Sequence, residues 1–585
     1  MGKENQQGLE QNHTNIFSMS KRRKIEKWYV ADFETTTEEF YLKNGYTKVW
    51  LYSICDENEK IVNYGKSIEE FFNFITKNES VLYYFHNLKF DSSYILNYLY
   101  KNNYKYIDRP LKVNEEKGFN TLIGEMGEIY EISICINKNT MVKIHDSLKI
   151  LNDSVEELAK SFDFDIEKGR IDYNINNITE ETLDYVFKDV KIVARALKYM
   201  KNNGATKMTI GSCSLDLLIQ KMKVNYYGVF PKLESDFLIE WRQAYRGGRS
   251  QVNPIHARKI LNKVYRYDIN SMYAYIQHDM FLPYGEPIPL NVNNINKFRF
   301  ELYKIKVTFK LKDKHIPSLL KSGHLFTESS YYIESDLNEI IYITSIDFAL
   351  LKKNYDIFNC EILEAWGFLT SRMFFKEFID YYYEIKQNNT GAKKVVAKKI
   401  LVNSYGKFGT KLIKKRKTPK LENNILKFDL TEEQEGKKYY LPVALAITSY
   451  AHLLIDNAIE IIGYKNFVYC DTDSVHSLVE LPSYMVDNKE LGKYKLEAVE
   501  EKAKYVRQKC YITYENKEWH ITCAGLPKKS VPSIIKYYGD KIIYAFDYGF
   551  TIETDNDKGI LPKLRPKQVE GGIILIPTPF RLKEW

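Results

Sequence analysis

The chain has 585 residues, with 85 Lys and Arg against 76 Asp and Glu, so its formal net charge is +9. This length allows several domains, and a mild positive balance suits a nucleic-acid partner without establishing one. The seven cysteines are scattered and no pair has Cys-x-x-Cys spacing. The sequence therefore indicates neither a cysteine-based zinc module nor a disulfide framework, and a reducing cytosol is the expected compartment.

Two segments bear on targeting and on membranes. Residues 1–27 are polar and lack an apolar core, so we predict a flexible tail rather than a signal peptide. The basic run at 21–24 leaves a DNA-touching arm as an alternative. The apolar helical stretch at about 441–462 contains His452 and Asp456, so we interpret it as a core helix and predict no membrane span.

Acidic residues occur in three predicted elements of the first third of the chain. Two strands and a helix carry, in order, Asp32 with Glu34, then Asp91, then Asp189 with Tyr185. Alternate residues of a strand share a face, and so do helical residues four apart. Four acids and a tyrosine can hold two metal ions and orient a water molecule. Helix caps or surface positions are the alternative for these acids.

Further along the chain, a Tyr-x-Gly-Gly sequence occupies 245–248. Its two permissive glycines can bring backbone N–H groups close to a phosphate backbone, and a plain turn is an equal alternative. The segment leading to Asp268 is apolar, and the carbonyl of Ile269 is a further candidate oxygen ligand. The region at about 281–372 then has predicted strands and helices of its own.

A predicted helix from about Lys398 ends near Gly406, and its lysines share a face with Tyr405 that suits a triphosphate and a base. A basic run at 414–417 follows, for which a solvated loop is the alternative. The most informative stretch is Tyr-Cys-Asp-Thr-Asp-Ser at 469–474. It predicts a strand or tight hairpin with two carboxylates facing one site, and Asp268 can supply a third. Such a cluster suits two magnesium ions that clamp the oxygens of a phosphoryl transfer.

Taken in order, these segments resemble the exonuclease and polymerase motifs of family B DNA polymerases, most closely the protein-primed subgroup of small podophages and linear plasmids. The resemblance runs from about Trp28 to the C-terminus. It implies an α/β exonuclease domain of RNase H-like fold and an α+β right-hand polymerase domain. The implied bounds are tail 1–27, exonuclease 28–205 and polymerase 206–585, the last divided into palm (about 206–280, 374–384 and 441–500), insertion one (about 281–373), fingers (about 385–411), insertion two (about 412–440) and thumb (about 501–585).

The resemblance assigns a DEDD-type 3′–5′ exonuclease site, with a tyrosine in its third motif, to the N-terminal acids. The implied catalytic set is Asp32, Glu34, Asp91 and Asp189, all metal ligands, with Tyr185 and Lys168 assisting. A second set matches residues that hold the 3′ end of single-stranded DNA, namely Thr35, His86, Asn87, Phe90, Ser147 and Leu148. A lysine can stabilise developing phosphate charge, and aromatic rings can stack on bases.

The resemblance also assigns roles in the polymerase domain. The implied catalytic residues are Asp268, Asp471 and Asp473, and the metal ligands are these three with the Ile269 carbonyl. The implied nucleotide-binding residues are Tyr273, Lys386, Lys398 and Tyr405, and the implied DNA-binding residues are Tyr245, Gly247, Gly248, Lys509 and Tyr511.

One departure from the family pattern concerns the triphosphate lysine. The family has Lys-x-x-x-Asn-Ser-x-Tyr-Gly, whereas here Ser404 directly precedes Tyr405. Counting from Tyr405 selects Lys398, and counting from Asn403 selects Lys399. We predict Lys398, because the spacing from the upstream Gly-Ala at 391–392 fits it.

The predicted function is that of a replicative DNA-directed DNA polymerase with 3′–5′ proofreading and two Mg²⁺ per site, which Mn²⁺ can replace. The two insertions favour priming by a terminal protein, with strand displacement. The expected partners are template and primer DNA, dNTPs, the terminal protein and phage single- and double-stranded DNA-binding proteins. The expected location is the cytoplasm of a bacterial host, with a phage or plasmid gene. The alternatives are ordinary nucleic-acid priming and a DNA-binding 3′–5′ exonuclease with an inactive polymerase domain.

Overall fold

The computed structural model describes residues 27–77, 81–112, 114–138, 140–169, 177–323, 330–554 and 558–584. Residues 1–26, which are nearly all of the predicted N-terminal tail, lie outside the described residues.

The N-terminal region is built around one mixed sheet. Its strands are β1 (Trp28–Thr35), β2 (Val49–Asp56), β3 (Ile61–Gly65), β4 (Leu82–Phe85), β5 (Lys105–Tyr106), β6 (Gly118–Ile123), β7 (Ile129–Asn137) and β8 (Thr140–Asp146). Its helices are α1 (Glu38–Asn44), α2 (Ile68–Ile75), α3 (Leu88–Lys101), α4 (Leu148–Leu151), α5 (Val155–Ser161) and α6 (Glu180–Asn202). The strand order is β3-β2-β1-β4-β8-β7-β6-β5, with β1 antiparallel to β2 and parallel to β4. Because β1 lies in the middle and is buried on both faces, the acids it carries lie at the centre of this region.

The rest of the chain contributes more strands and helices. The strands are β9 (Ser250–Val252), β10 (Ile260–Ile269), β11 (Leu282–Pro289), β12 (Phe300–Leu311), β13 (Glu339–Thr344), β14 (Tyr355–Ser371), β15 (Ile413–Lys414), β16 (Lys417–Glu422), β17 (Ile425–Leu430), β18 (Gln434–Glu435), β19 (Phe467–Asp471), β20 (Ser474–Ser477), β21 (Tyr494–Arg507), β22 (Cys510–Glu515), β23 (Glu518–Cys523), β24 (Thr551–Ile552), β25 (Lys563–Val569), β26 (Gly572–Thr578) and β27 (Phe580–Arg581). The helices are α7 (Ile210–Lys221), α8 (Tyr226–Val229), α9 (Ser235–Trp241), α10 (Met272–Asp279), α11 (Ser345–Asn354), α12 (Lys376–Asn388), α13 (Gly391–Val402), α14 (Leu441–Ile462), α15 (Val531–Tyr538) and α16 (Ile542–Ala545).

The second large sheet occupies the position of the predicted palm. Its strand order is β23-β22-β21-β10-β20-β19-β9, and every pairing is antiparallel. Strand β10 therefore lies between β21 and β20, which brings Asp268 next to the hairpin β19–β20 that carries Asp471 and Asp473. Helix α14 packs against this sheet through an almost continuously buried surface.

The region at 281–372 has strands and a helix of its own, as the sequence predicts. Its sheet has the order β11-β14-β12-β13, and α11 packs against it. Helices α12 and α13, where the fingers are predicted, pack against each other.

Two hairpins from distant parts of the chain close over the N-terminal region. Leu426 of β17 and Ile573 of β26 belong to the same buried cluster as the N-terminal sheet. The Tyr94 hydroxyl donates to the Ile573 carbonyl at 2.6 Å, and the Thr47 N–H donates to the Glu570 carbonyl at 2.9 Å. The N-terminal region is therefore completed by residues from near the end of the chain.

Three elements differ from the sequence-based expectations. Helix α13 ends at Val402 instead of near Gly406. Helix α12 runs across the predicted palm–fingers bound at 384/385, and β21 runs across the predicted palm–thumb bound at 500/501. Strands β22 and β23 consequently extend the palm sheet rather than stand apart from it.

Among the described residues, α14 alone is long and apolar enough to cross a membrane by length and composition. Of its most apolar window, 67% is buried inside the protein. Its His452 bonds to Asp347 and to the Gly247 carbonyl, and its Asp456 pairs with the buried Arg249. The helix thus has the contacts of a core helix.

Candidate active sites

The hairpin β19–β20 carries two acids at its turn. Asp471 is paired with Ser474 across the hairpin, and Thr472 between them has a φ of 62°, in the left-handed region. The Thr472 N–H donates to the Arg249 carbonyl at 2.6 Å, and the Asp473 N–H donates to the Asp471 carbonyl at 2.7 Å. These bonds hold a turn that is strained for a β-branched residue, a condition common at functional sites.

Asp268 lies beside this turn because β10 pairs with β20, with Asp268 opposite Ser474. The Ile269 N–H donates to the Asp473 carbonyl at 2.9 Å. Burial, followed by the charges of Asp473 and Glu497, raises the pKa of Asp268 to about 7. Burial also raises the pKa of Asp473 to about 6, with Asp471 and Glu497 adding to the shift. The structure thus brings together the three acids that the sequence singles out.

Glu497 is an acid that the sequence analysis missed. In the pairing of β10 with β21, Arg266 lies opposite Ala498 and Tyr267 lies opposite Leu496, so Glu497 is the extra residue of a bulge. Bulges beside active sites commonly redirect a side chain. The charge of Glu497 acts on both Asp268 and Asp473, which makes it a fourth carboxylate of this cluster.

Lysines approach these acids from three elements. The Lys509 ammonium pairs with the Asp471 carboxylate. Lys386 of α12 donates to the Ser271 hydroxyl at 2.6 Å, and burial followed by the charge of Lys398 lowers its pKa. Lys399 points elsewhere and pairs with Asp153 of the N-terminal region. Between the two candidate lysines, the geometry therefore favours Lys398, which stays a prediction.

Two tyrosines form one wall of the predicted nucleotide pocket. The ring centroids of Tyr273 and Tyr405 lie 4.3 Å apart. Beneath them, the Gln277 side-chain amide donates to the Ser404 hydroxyl at 2.9 Å, which ties α10 to the end of α13. The family pattern has one residue between Ser and Tyr that this chain lacks. Tyr405 nevertheless lies against Tyr273.

The glycines at 247 and 248 have separate structural roles. A Cβ on Gly248 would lie 2.7 Å from the Thr472 hydroxyl oxygen, so only glycine lets this segment pack on the catalytic turn. Gly247 has open space beside it, and its carbonyl accepts from His452 at 2.7 Å. The Tyr245 ring packs on Gly409, where an added Cβ would lie 2.7 Å from the ring. This motif therefore supports the hairpin β19–β20 directly, a role that the sequence does not predict.

Lys509 and Tyr511 are only two residues apart but have different surroundings. The Lys509 backbone N–H donates to the Tyr469 hydroxyl at 3.1 Å, and its ammonium pairs with Asp471. Both the backbone and the side chain of Lys509 therefore form bonds beside the acids. The Tyr511 ring packs against Tyr469 and Tyr505, each at 5.3 Å between centroids. Tyr511 is thus part of an aromatic cluster under the site.

The four N-terminal acids also meet. Burial raises the pKa of Asp32 to about 7, and the charge of Asp189 adds to this. Burial with the charge of Asp32 raises the pKa values of Glu34 and Asp91 well above their usual range. Mutual repulsion of this kind is expected for carboxylates that lie near one another.

Lys168 and Tyr185 lie at the same acid cluster. The Lys168 ammonium pairs with Asp189 at 2.6 Å and lies 5.3 Å from the centre of the Tyr185 ring. Burial raises the pKa of Asp189, and the charge of Lys168 opposes this. Both predicted assisting residues therefore contact or approach the third acidic motif.

The residues predicted to hold a DNA 3′ end lie around the start of α3 and α4. The N–H groups of Asn87 and Leu148 both donate to Asp146 Oδ1 at 3.0 Å, so Asp146 organises this edge and was missed by the sequence reading. His86 has both ring nitrogens engaged within the protein, at Ser147 and at the Asp153 carbonyl. A DNA strand would therefore contact the face of the His86 ring, because both ring nitrogens already have partners within the protein.

Thr35 and Phe90 flank the same edge. Thr35 is the last residue of β1 and lies beside the Tyr94 hydroxyl. Burial raises the pKa of Tyr94, and a hydrogen bond to Thr35 reduces this rise. The Phe90 ring lies 6.0 Å from that of Tyr94 and is partly exposed, as a base-stacking ring has to be. All six residues predicted to hold a 3′ end therefore lie near the N-terminal acids, and their role stays a prediction.

The donor set at each cluster fits divalent cations. All candidate ligands are oxygens, as magnesium prefers, and each cluster has several carboxylates, with a lysine paired to one of the candidate ligands. Asp189 Oδ1 is buried without a hydrogen-bond partner in the part of the chain that the structure describes. Within those same ranges, no three His, Cys, Asp or Glu side chains already stand in metal-ligating positions.

Comparison with known proteins places this geometry in a family. The family described as DNA polymerase type B, organellar and viral, matches residues 73–177 and 174–478. The DNA polymerase of Bacillus phage phi29 is 32% identical over 598 residues, which cover 95% of this chain and 99% of that protein. The DNA polymerase of Streptococcus phage Cp-1 is 32% identical over 599 residues, with the same two coverages.

Solved structures agree with the sequence comparison. Phi29 DNA polymerase complexed with primer–template DNA matches with a TM-score of 0.85 at 30% identity, over 95% of this chain and 100% of that one. Its ternary complex with primer–template DNA and incoming nucleotide matches at 0.84 and 31% identity, with the same coverages. The chain therefore belongs to the type B DNA polymerases of the organellar and viral family.

Proposed function

We propose that this polymerase is replicative, couples synthesis to 3′–5′ proofreading and starts synthesis on a terminal protein. The observation that carries the first two parts is the presence of two separate acid clusters on one chain. Asp268, Asp471 and Asp473 form one cluster, and the cluster around Asp32 and Asp189 forms the other. Each cluster has carboxylates with raised pKa values and a lysine paired with one of them.

In synthesis, the primer 3′ hydroxyl attacks the α-phosphate of a dNTP and pyrophosphate leaves. At both sites the clustered carboxylates would hold two Mg²⁺, or Mn²⁺ in its place, which would neutralise charge on the attacking and leaving oxygens. Lys386 and Lys398 meet the triphosphate, and Lys509, which pairs with Asp471, holds the primer terminus near the acids. The paired rings of Tyr273 and Tyr405 meet the nucleotide, and Tyr273 stacks under the sugar and excludes a 2′-hydroxyl by steric clash.

In proofreading, water attacks the terminal phosphodiester and the last nucleotide leaves. Asp32, Glu34, Asp91 and Asp189 form the acidic pocket, and Tyr185 orients the water. Lys168, which pairs with Asp189, stabilises the developing phosphate charge. Phe90 and the edge held by Asp146 receive the frayed 3′ end.

DNA binding is supported by the similar solved structures, which include phi29 DNA polymerase complexed with primer–template and with single-stranded DNA. Specificity would come from template pairing, with this chain holding the DNA backbone. Affinity should then fall steeply as salt rises.

Protein priming rests on the two insertions at 281–373 and 412–440 and on the likeness to phage polymerases. The first insertion would contact the terminal protein and duplex DNA, and the second would close around DNA to support strand displacement. Phage single- and double-stranded DNA-binding proteins are the expected accessory partners. A phage or plasmid gene and a bacterial host cytoplasm follow from the same likeness.

The test uses a labelled primer–template with Mg²⁺, with and without dNTPs. Extension with dNTPs and 3′ shortening without them support both activities. Asp471→Ala should abolish extension alone, and Asp189→Ala should abolish shortening alone. Shortening under both conditions would instead favour a nuclease with a silent palm. Transfer of labelled dNMP to a protein acceptor supports protein priming, and its absence alongside normal primer extension favours ordinary priming.

A further inference from the structure

Two neighbouring lysines of α13 face different sites. The charge of Lys398 acts on Lys386 of the predicted nucleotide site. The Lys399 side chain is 11% exposed, donates to the Leu151 carbonyl and pairs with the Asp153 carboxylate at 2.5 Å. Residues 151–153 link α4 to α5 in the exonuclease region, so one helix of the polymerase domain contacts both sites.

Asp153 in turn orients His86. Its carbonyl oxygen lies 2.8 Å from His86 Nε2, and His86 Nδ1 lies 3.0 Å from the Ser147 hydroxyl. A carbonyl only accepts, so His86 Nε2 carries a proton and donates it to Asp153. The Ser147 hydroxyl lies between His86 Nδ1 and the Phe85 carbonyl, to which it donates at 3.0 Å. Burial lowers the pKa of His86. The ring plane of His86 is therefore set by a loop that Lys399 holds.

We propose that Lys399 is a positioning residue of the exonuclease site, supplied by the fingers helix. The inference rests on the proposed exonuclease function. Through Asp153, Lys399 holds His86 and Ser147 in the arrangement that receives a single-stranded 3′ end. Its neighbour Lys398 serves the triphosphate, so a displacement of α13 would change both sites together.

The experiment compares Lys399→Met with Lys399→Arg, and with Lys398→Met as the matched control. Methionine keeps an unbranched apolar stem and removes the ammonium, whereas arginine restores the charge. Each purified full-length variant is assayed for kcat and KM on a single-stranded oligonucleotide without dNTPs and for dNTP KM during primer extension. Lys399→Met should raise the oligonucleotide KM roughly tenfold and leave the dNTP KM unchanged. A tenfold change in KM corresponds to the free energy of about one charge-assisted hydrogen bond. Lys399→Arg should restore the KM, and Lys398→Met should raise only the dNTP KM.

Two results would overturn the inference. One is an unchanged oligonucleotide KM in Lys399→Met. The other is an equal loss of both activities that Lys399→Arg does not rescue, which would mean a general structural role. Failure of the proposed function looks different, because the wild-type protein would then show no 3′ shortening at all and the inference would fall with it.

A separate feature of the palm sheet is a pair of free thiols. Cys510 of β22 and Cys523 of β23 are direct partners across the hairpin, with their sulfur atoms 3.4 Å apart. The Ala524 N–H donates to the Lys509 carbonyl at 2.8 Å, so the cysteines form a non-hydrogen-bonded pair. Side chains approach most closely at such pairs, within the spacing that a disulfide spans.

We infer that Cys510 and Cys523 form an oxidisable site whose co-reactant is a peroxide. The Cys523 thiolate, at the partly exposed position, attacks the peroxide O–O bond and becomes a sulfenic acid while one water leaves. The Cys510 sulfur then displaces the hydroxyl as a second water. Two thiols and one hydrogen peroxide thus give one disulfide and two waters. Cys510 and Arg507 lower the pKa of Cys523, which favours the attacking thiolate.

The test treats the full-length protein with one equivalent of hydrogen peroxide and counts thiols before and after dithiothreitol. Two of the seven thiols should be lost and then recovered, with a cross-linked peptide that contains Cys510 and Cys523. Cys523→Ser should prevent the cross-link, whereas Cys360→Ser, at an exposed cysteine, should not. A sulfinic acid at Cys523, or a cross-link to another cysteine, would overturn the inference.

Discussion

Asp32→Asn should stabilise the metal-free protein at pH 8 while it removes exonuclease activity. The carboxyl of Asp32 has its pKa raised from 3.8 to about 7 in the folded state. At about 1.4 kcal/mol for each tenfold change in proton affinity, ionised Asp32 costs up to about 4 kcal/mol. Asp32 keeps partial solvent access, so we expect about half of that, or about 2 kcal/mol. Asparagine has nearly the same shape and cannot ionise.

The direction in which the stability changes with pH follows from proton binding. Between pH 4 and pH 7 the folded protein keeps a proton that the unfolded chain has lost, so stability falls as pH rises through this window. The advantage of Asp32→Asn should therefore be largest at pH 8 and shrink towards pH 5. For a region of this size, 2 kcal/mol corresponds to a rise in Tm of about 4–8 °C.

The assay is calorimetry in EDTA at pH 5 and pH 8, repeated with Mg²⁺. Asp184→Asn is the matched control, because Asp184 lies on the same helix as Asp189 but is exposed. Mg²⁺ should raise the Tm of the wild-type protein more than that of Asp32→Asn. If Asp32→Asn melts no higher than wild type at pH 8 in EDTA, the repulsion argument is wrong.

Three further outcomes are expected. At low Mg²⁺ the exonuclease rate should rise with pH through about 7, and the midpoint should fall as Mg²⁺ increases, because protons and metal compete for Asp32; a midpoint that ignores Mg²⁺ would contradict this. Arg249→Met should cost about 3 kcal/mol in chemical denaturation, since it removes a partner from the buried Asp456 carboxylate; a loss under 1 kcal/mol would refute the pairing. Gly571→Ala should destabilise the exonuclease region by about 2 kcal/mol, because φ is +88° and its Cβ would lie 2.1 Å from the Thr47 carbonyl oxygen; unchanged hydrogen exchange near Thr47 would refute it.

The sequence predicts the local features of the site well. The hairpin at Asp471 follows from a short strand with two acids at its end, and the one-turn spacing of Tyr185 and Asp189 follows from helix periodicity. Their neighbours in space are harder to predict. Glu497 reaches the acids only through a bulge in the pairing of β10 with β21, which no periodicity of β21 alone reveals.

The end of α13 shows a second limit. Gly406 is a typical residue to follow a helix, which is why the sequence predicts an end there. The Asn403 side chain instead donates to the Lys399 carbonyl at 2.8 Å, and the Ser404 hydroxyl donates to the Leu401 carbonyl at 2.8 Å. Side chains that satisfy the last carbonyls end a helix early, and this competition is hard to judge without the surrounding structure.

The closure of the N-terminal sheet by the hairpin β25–β26 has a consequence for biosynthesis. Tyr94 and Ile573 are 479 positions apart, so the ribosome makes the donor of their hydrogen bond long before its acceptor. At about 5–20 residues per second, the interval is roughly half a minute to a minute and a half. During that interval the apolar surface at α1 and α3 that β26 later covers is exposed in the nascent chain, and surfaces of this kind are bound by chaperones. On the proposed function, degradation of DNA by unfinished chains would be restrained, because the N-terminal region reaches its full packing only when nearly all of the chain has been translated.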